Sequence, residues 1–296
     1  MRDTLWVVDF GRLQLFDSNL EFARSITFPT LRPPAGIRRV IPGPILADGS
    51  ILGIPVMADD GRAAPIVLLS NAGEITDTLA HVLTRETYVR IWIPDSPQPG
   101  NVANPWTDDP IWASEPDGEA IIIVNRPTPE RASGASFAII RIGINGDTLF
   151  HRGIDYLPTE LTADHADPWF NSMAQRLGQL LSVTEAQAER AIRRAIQPPR
   201  YHIPVSRMVV GQDGTIWLRR EDIGREAVDW QVFDRSGVVL GRVSLPSTFD
   251  MHRARTDRVW GVQKDSLDVP FLQVYEIVQP TIGARGDAKV AEADVR

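Results

Sequence analysis

Gly211-Gln212-Asp213-Gly214-Thr215-Ile216-Trp217-Leu218-Arg219 is followed, after a short gap, by Trp230-Gln231-Val232-Phe233-Asp234-Arg235-Ser236-Gly237-Val238-Val239-Leu240. The two segments spell turn, strand, gap, strand, turn, strand. Asp-Gly suits a tight hairpin turn, because glycine accepts positive φ at no steric cost. The phrase recurs in eroded form along the chain. Its first half, a turn running into an apolar strand, returns as Asp3-Thr4-Leu5-Trp6-Val7-Val8, Asp48-Gly49-Ser50-Ile51-Leu52, Asp117-Gly118-Glu119-Ala120-Ile121-Ile122-Ile123 and Asp257-Arg258-Val259-Trp260. Its second half, strand–polar turn–strand, returns around Phe16-Asp17-Ser18-Asn19, Leu69-Ser70-Asn71-Ala72-Gly73 and Ile144-Asn145-Gly146-Asp147, and is cut short at Leu272-Gln273-Val274-Tyr275-Glu276.

Each full copy encodes four short antiparallel strands, a to d, with tight a–b and c–d turns. A four-stranded meander repeated along a chain is the signature of a propeller blade. Such a unit cannot bury both faces alone, so it stacks on its neighbours. The expected fold is therefore all-β: a β-propeller over residues 1–279, about five blades visible, with a polar, disordered tail at 280–296. An ordinary β-sandwich with coincident turn spacing is the alternative. Recurring Trp6, Trp112, Trp217, Trp230 and Trp260 fall on or beside strands and are read as wedges between blades.

The wording Asp-Thr-Leu-Trp-Val-Val-Asp, Leu-Gln-Leu-Phe-Asp and Ile-Thr-Phe-Pro resembles the NHL-like six-bladed β-propeller proteins of bacteria. So does Asp-Gly-Thr-Ile-Trp-Leu-Arg-Arg-Glu-Asp with Val-Leu-Gly-Arg-Val-Ser-Leu-Pro. The resemblance covers about residues 3–278. It speaks to fold and hardly to function, since propellers of this kind host many unrelated roles. It implies a sixth blade and an export signal. Residues 3–29 supply only strands b, c and d, and 249–278 only a, b and c. The chain is thus expected to lack an N-terminal blade, with an exported or periplasmic location implied if so.

The 296 residues, 43% hydrophobic, suffice for a large core. A net charge of −7 with a pI near 5.3 argues against nucleic acid as a partner. Cysteine is absent, which removes disulfides, thiol catalysis and thiolate-bound metal. No apolar run reaches the length of a membrane span. No signal peptide is expected within this chain, because Met1-Arg2-Asp3 leads directly into strand-like Leu5-Trp6-Val7-Val8.

Residues 158–203 break the β pattern as an inserted helical hairpin. Asp167-Pro168 reads as an N-cap and first helical position. Trp169, Phe170, Met173, Leu177, Leu180 and Leu181 then share a face. Ser182-Val183-Thr184-Glu185 reads as a capping box opening a second helix, Glu185 to Ile196, whose apolar side carries Ala188, Ala191, Ile192 and Ala195. Packing on the propeller rim is expected.

Every long segment is a b–c or d–a connection: 30–43, 57–65, 84–110, 125–136, 157–203, 219–230 and 263–271. In an up-and-down blade these rise from one face of the disc, and binding residues concentrate on such loops. The candidate binding residues are Arg219, Arg220, Glu221, Asp222, Asp265, Arg126, Asp9 and Trp106. The dense cluster Arg219-Arg220-Glu221-Asp222 also reads as solvated loop charge, and Trp106 also as a lid anchor. No catalytic residue is assigned. The five histidines show no metal-ligand spacing, no Gly-x-Ser-x-Gly elbow exists, and no glycine-rich turn precedes a helix that could cradle phosphate. No cofactor is expected, with Ca²⁺ or Zn²⁺ left open. The leading expectation is a binding module taking a small molecule, peptide or protein on the long-loop face. The alternative is a metal-dependent hydrolase or lactonase with carboxylates at the central channel mouth.

Overall fold

The structure, a computed structural model, describes residues 5–9, 12–27, 37–57, 63–70, 72–83, 88–94, 96, 98–131, 134–220, 227–265, 267–278 and 289–292. The chain first forms a three-stranded sheet of β1 (Leu5–Asp9), β2 (Arg12–Phe16) and β3 (Phe22–Thr27). A four-stranded sheet follows, from β4 (Ile37–Ile45), β5 (Ile51–Met57), β6 (Ala63–Leu69) and β7 (Ile75–Leu83). A separate hairpin, β8 (Tyr88–Ile91) with β9 (Gly100–Ala103), precedes the third sheet. That sheet contains β10 (Ile111–Ser114), β11 (Ala120–Asn125), β12 (Ser136–Gly143) and β13 (Thr148–Asp155). Two helices, α1 (Ala163–Leu181) and α2 (Glu185–Ala195), lead to the fourth: β14 (Arg207–Val210), β15 (Ile216–Arg219), β16 (Ala227–Phe233) and β17 (Val239–Pro246). The fifth comprises β18 (Phe249–Arg255), β19 (Arg258–Lys264), β20 (Pro270–Val278) and β21 (Lys289–Glu292). All neighbouring strands are antiparallel and joined in sequence order.

Consecutive sheets share cores, which is the propeller arrangement. Leu13 and Leu15 of the first meet Ile51, Val67 and Leu69 of the second. Leu52, Ile66 and Leu68 meet Ile121 and Ile123 of the third. Ile122, Val124 and Ile139 meet Ile216, Leu218 and Phe233 of the fourth. Trp217, Trp230 and Val232 meet Phe249, Met251 and Tyr275 of the fifth. The second strand of a blade is buried on both faces, so it reads as a continuous apolar run such as Ala120-Ile121-Ile122-Ile123-Val124.

The Asp-Gly turns behave as expected. Gly49, Gly118 and Gly214 all have positive φ, near 80°. Asp48, Asp117 and Asp213 each accept the backbone N–H two residues on. At Gly118 the reason is also tertiary: its carbonyl accepts from the Ala47 N–H at 3.0 Å, and a Cβ there would lie 2.6 Å from the Ala47 nitrogen.

These turns also latch blade to blade. Asp213 accepts from the Thr256 N–H at 2.6 Å and from the hydroxyls of Thr215 and Thr256. Burial pushes this carboxyl up, but the hydrogen bonds from Thr256 and Thr215 outweigh it and hold the pKa below 3.8. A depressed carboxyl stabilises above its unfolded pKa and loses that contribution as pH falls through the folded value. Asp213→Asn is expected to lower the melting temperature at neutral pH. It should also flatten the decline of melting temperature below about pH 4. A melting series from pH 7 to pH 2 checks this. An unchanged acid limb would show that Asp213 is not part of the acid response.

Three features differ from the sequence reading. First, β21, in the stretch read as tail, pairs with β20 and gives the fifth sheet its outer strand. The segment is short and polar, so only its pairing marks it as a strand. Second, the connection after β19 is a tight turn: Asp265 N–H reaches the Val269 carbonyl at 3.1 Å, and Asp268 takes φ 64°. Third, α1 begins at Ala163 with N-cap Thr162, so Pro168 lies inside it. The proline removes one backbone bond near the helix start, while Ala166, Phe170, Ala174, Leu177 and Leu181 hold the helix by burial. The capping box of α2 is closed by Thr184 and Gln187.

The helices pack on the β8–β9 hairpin. Ile91, Ile93 and Val102 share a core with Phe170, Leu177, Ala188 and Ile192. Gly100 permits the close approach, since a Cβ there would lie 2.6 Å from the Leu177 methyl carbon. Two long connections, 84–110 and 157–203, thus build one satellite unit. Among the described residues no helix is long and apolar enough to cross a membrane.

Candidate functional site

The cleft singled out by its chemistry lies between the third and fourth sheets. Strand β16 alternates: Val228, Trp230 and Val232 enter the core shared with the fifth sheet. Asp229 and Gln231 therefore face the other way, toward the third sheet. Their cross-strand partners on β17 are Ser244 and Arg242. On β16 this face is polar at Asp229 and Gln231. Ser244 donates its hydroxyl to Asp229.

Across the gap stand the end of β13 and the start of the connection to α1. Asp155, Tyr156, Leu157 and Thr159 line a cavity of about 510 Å³ together with Arg220, Asp229, Gln231 and Arg242. Arg220 directly follows β15, and its N–H is fixed to the Asp229 carbonyl at 2.9 Å. Its guanidinium donates to Gln231 Oε1 at 3.5 Å and lies 5.4 Å from the Tyr156 ring and 5.8 Å from that of Phe137. This places a cation over two aromatic faces.

Tyr156 is 9% exposed, and its hydroxyl is buried with no hydrogen-bond partner among the described residues. Burial raises its pKa; the Arg220 charge opposes this, and Glu130 and Asp108 add to it. The phenol is therefore a protonated donor at any physiological pH. A second cavity of about 10 Å³, room for one water, adjoins it beside His202, Ile203 and Pro204. The neck of the helical insertion closes this end. The Leu161 N–H binds the Arg200 carbonyl at 2.9 Å, and the His202 N–H binds the Thr159 carbonyl at 2.9 Å.

Of the residues singled out from the sequence, Arg220 lines the cleft. Its neighbour Arg219 shares the alternate face with Trp217 and points toward the fifth sheet, where its charge reaches Asp250. Arg126 is 6% exposed and donates to the carbonyls of Asp109 at 2.7 Å and Val205 at 2.6 Å, tying two loops together. Asp265 caps its own turn, accepting from the Leu267 and Val269 N–H groups at 2.8 and 3.0 Å. Trp106 packs edge-on against Trp169 at 4.9 Å in the satellite core. Asp9 is the last residue of β1. Glu221 and Asp222 lie outside the described residues. Among the described residues, no group of three or more His, Asp and Glu is placed to hold a metal ion.

Sequence reasoning missed Asp155, Tyr156, Thr159, Asp229, Gln231 and Arg242. A signal existed for two of them: Asp229 and Gln231 interleave with Val228, Trp230 and Val232, placing polar groups on an inter-blade face. Nothing in the sequence around Tyr156 marks it.

No family model and no characterised protein matches the sequence. Structural likenesses are distant. A hydrazine synthase chain of Kuenenia stuttgartiensis aligns with TM-score 0.42 and 11% identity over 98% of this chain and 62% of its own. Dihydro-heme d1 dehydrogenase NirN in complex with DHE aligns with TM-score 0.32 and 11% identity over 95% and 46%. A protein of unknown function from Bacteroides caccae gives TM-score 0.29 and 11% identity over 82% and 78%. The chain spans less than two thirds of the hydrazine synthase chain it matches. At these scores the likenesses carry no argument about the site, and the propeller assignment rests on the chain's own sheets and shared cores.

Proposed function

We propose that the chain is a β-propeller binding module that holds a small zwitterionic ligand, such as an amino acid or short peptide, between its third and fourth blades. The observation that carries this reading is the Tyr156 hydroxyl, buried without a hydrogen-bond partner among the described residues at the wall of a cleft of about 510 Å³. A buried donor left unsatisfied costs about 1–3 kcal/mol, and a ligand acceptor placed against it removes that cost. The volume lies in the range of small-molecule sites. Two cations, Arg220 and Arg242, and two anions, Asp155 and Asp229, line one space. Their formal charges cancel, which favours a ligand bearing both signs over a simple anion. With its Oε1 engaged by Arg220, Gln231 keeps its amide N–H groups as donors.

Calorimetric titration with free amino acids and dipeptides, using sugars and dicarboxylates as comparison solutes, tests the reading. Saturable binding of a zwitterion is expected. Tyr156→Phe and Arg242→Ala should each weaken it about tenfold, or ~1.4 kcal/mol, with no fall in melting temperature, and Tyr156→Phe, which deletes the unsatisfied hydroxyl, should raise the melting temperature. Binding confined to sugars or dicarboxylates, or zwitterion binding indifferent to both substitutions, would overturn it.

A further inference from the structure

A second feature lies in the satellite unit, away from the inter-blade cleft and independent of it. Helix α2 lies against β8, and α1 against β9. Between β8 and the flank of α2 runs a groove of about 830 Å³, lined by Arg90, Ile91, Trp92, Pro94, Gln187, Arg190, Ala191, Arg194 and Ala195. Arg90 and Ile91, the last two residues of β8, contribute to the wall together with Trp92, which directly follows the strand. Successive side chains of a strand point to opposite faces, so the groove follows the strand's edge rather than one of its faces. That edge is open: among the described residues β8 pairs with β9 alone.

The groove is positively charged in a chain of net charge −7. Arg90 stacks 5.2 Å from the ring of Trp92, which is 67% exposed. Arg190 and Arg194 are exposed neighbours one helical turn apart, and neither has an ion-pair partner among the described residues. Like charges at this spacing repel and destabilise a helix. Arg193 on the same helix shows the contrast, since it is neutralised by Asp167 at 2.9 Å and Glu189 at 2.8 Å. The floor between the cations is small and apolar, Ala191 and Ala195, leaving room for a backbone.

The geometry points to docking of an extended acidic peptide that adds as a strand to the open edge of β8. The edge supplies main-chain hydrogen bonds, as in other β-augmentation sites. Arg90, Arg190 and Arg194 meet alternate carboxylates, and Trp92 covers an apolar side chain. An exposed strand edge otherwise invites nonspecific pairing, and flanking cations select against basic segments. A nucleic-acid strand offers phosphates but no matching ladder of N–H and C=O groups, and the overall negative charge opposes it.

The test is fluorescence anisotropy of the full chain with a labelled ten-residue peptide alternating Glu and Val, at low ionic strength. Saturable binding that weakens as salt rises is expected. Arg190→Ala with Arg194→Ala should reduce affinity at least tenfold. N-methylation of alternate peptide residues should do the same on the unaltered protein, whatever the folding of the variant. No saturable binding would overturn the proposal. So would equal binding of a Lys/Val peptide, indifference to N-methylation, or competition by oligothymidylate that outranks the acidic peptide.

Discussion

Replacing Glu115 by alanine is expected to destabilise the fold by about 3–5 kcal/mol, the cost of breaking a buried ion pair by removing one partner. The Glu115 side chain is 1% exposed and that of Arg141 16%. Arg141 holds it with two donors, Nε to Oε1 at 2.7 Å and Nη2 to Oε2 at 2.9 Å. Arg235, on the turn of the fourth blade, adds a bond to Oε2 at 2.6 Å and reaches Asp117 and Glu119 on the third. Glu115 is therefore a deeply buried anion held by two cations, Arg141 and Arg235, and the pin between two blades. Its loss leaves the Arg141 guanidinium without its charge partner. Asp117 and Glu119 are exposed, and each alone should matter by about 1 kcal/mol or less. Urea unfolding checks both statements. A double-mutant cycle of Glu115→Ala with Arg141→Ala should show strong coupling, whereas additivity would refute the pin.

The second large effect is expected at Trp217. It is 1% exposed in the core between the fourth and fifth blades. Truncation to alanine removes a large aromatic from a close-packed site and should cost about 3–5 kcal/mol. There is also a polar part. The indole N–H donates to Thr215 Oγ1 at 2.9 Å, and Thr215 donates onward to Asp213 at 2.7 Å. Asp213 in turn holds Thr256 of the next blade. Trp217→Phe keeps most of the volume and loses only the head of this chain, so a smaller loss is expected. Equal losses for alanine and phenylalanine would show that the hydrogen bond, rather than the packing, governs the site.

The repeating blades were readable because their determinants are local. An Asp-Gly turn is set by the sterics of positive φ and by a carboxylate reaching two residues ahead, and both are visible in five residues. The b strands were readable because burial on both faces demands an unbroken apolar run. The helical insertion was readable from its period, but its first boundary was not. Pro168 marks a helix start only where no earlier turn is held by packing, and Ala166 is buried.

The site was far less readable. Arg219 and Arg220 look equivalent in the sequence, yet strand alternation sends them to opposite faces. The cleft takes Arg220 and joins it to Tyr156, 64 positions earlier in the numbering. The groove on α2 likewise joins Arg190 and Arg194 to Arg90 across the chain.

The opening phrase around Trp217 carries its own turns, its own strands and the alternation of its faces, because backbone sterics and side-chain period act over a few residues. It does not say which blade each face meets. Nor does it say that Asp229 and Gln231 open onto Tyr156, or that β21 completes the last sheet. Those were decided by packing between segments far apart in sequence, where shape and burial, rather than local propensity, select the partner.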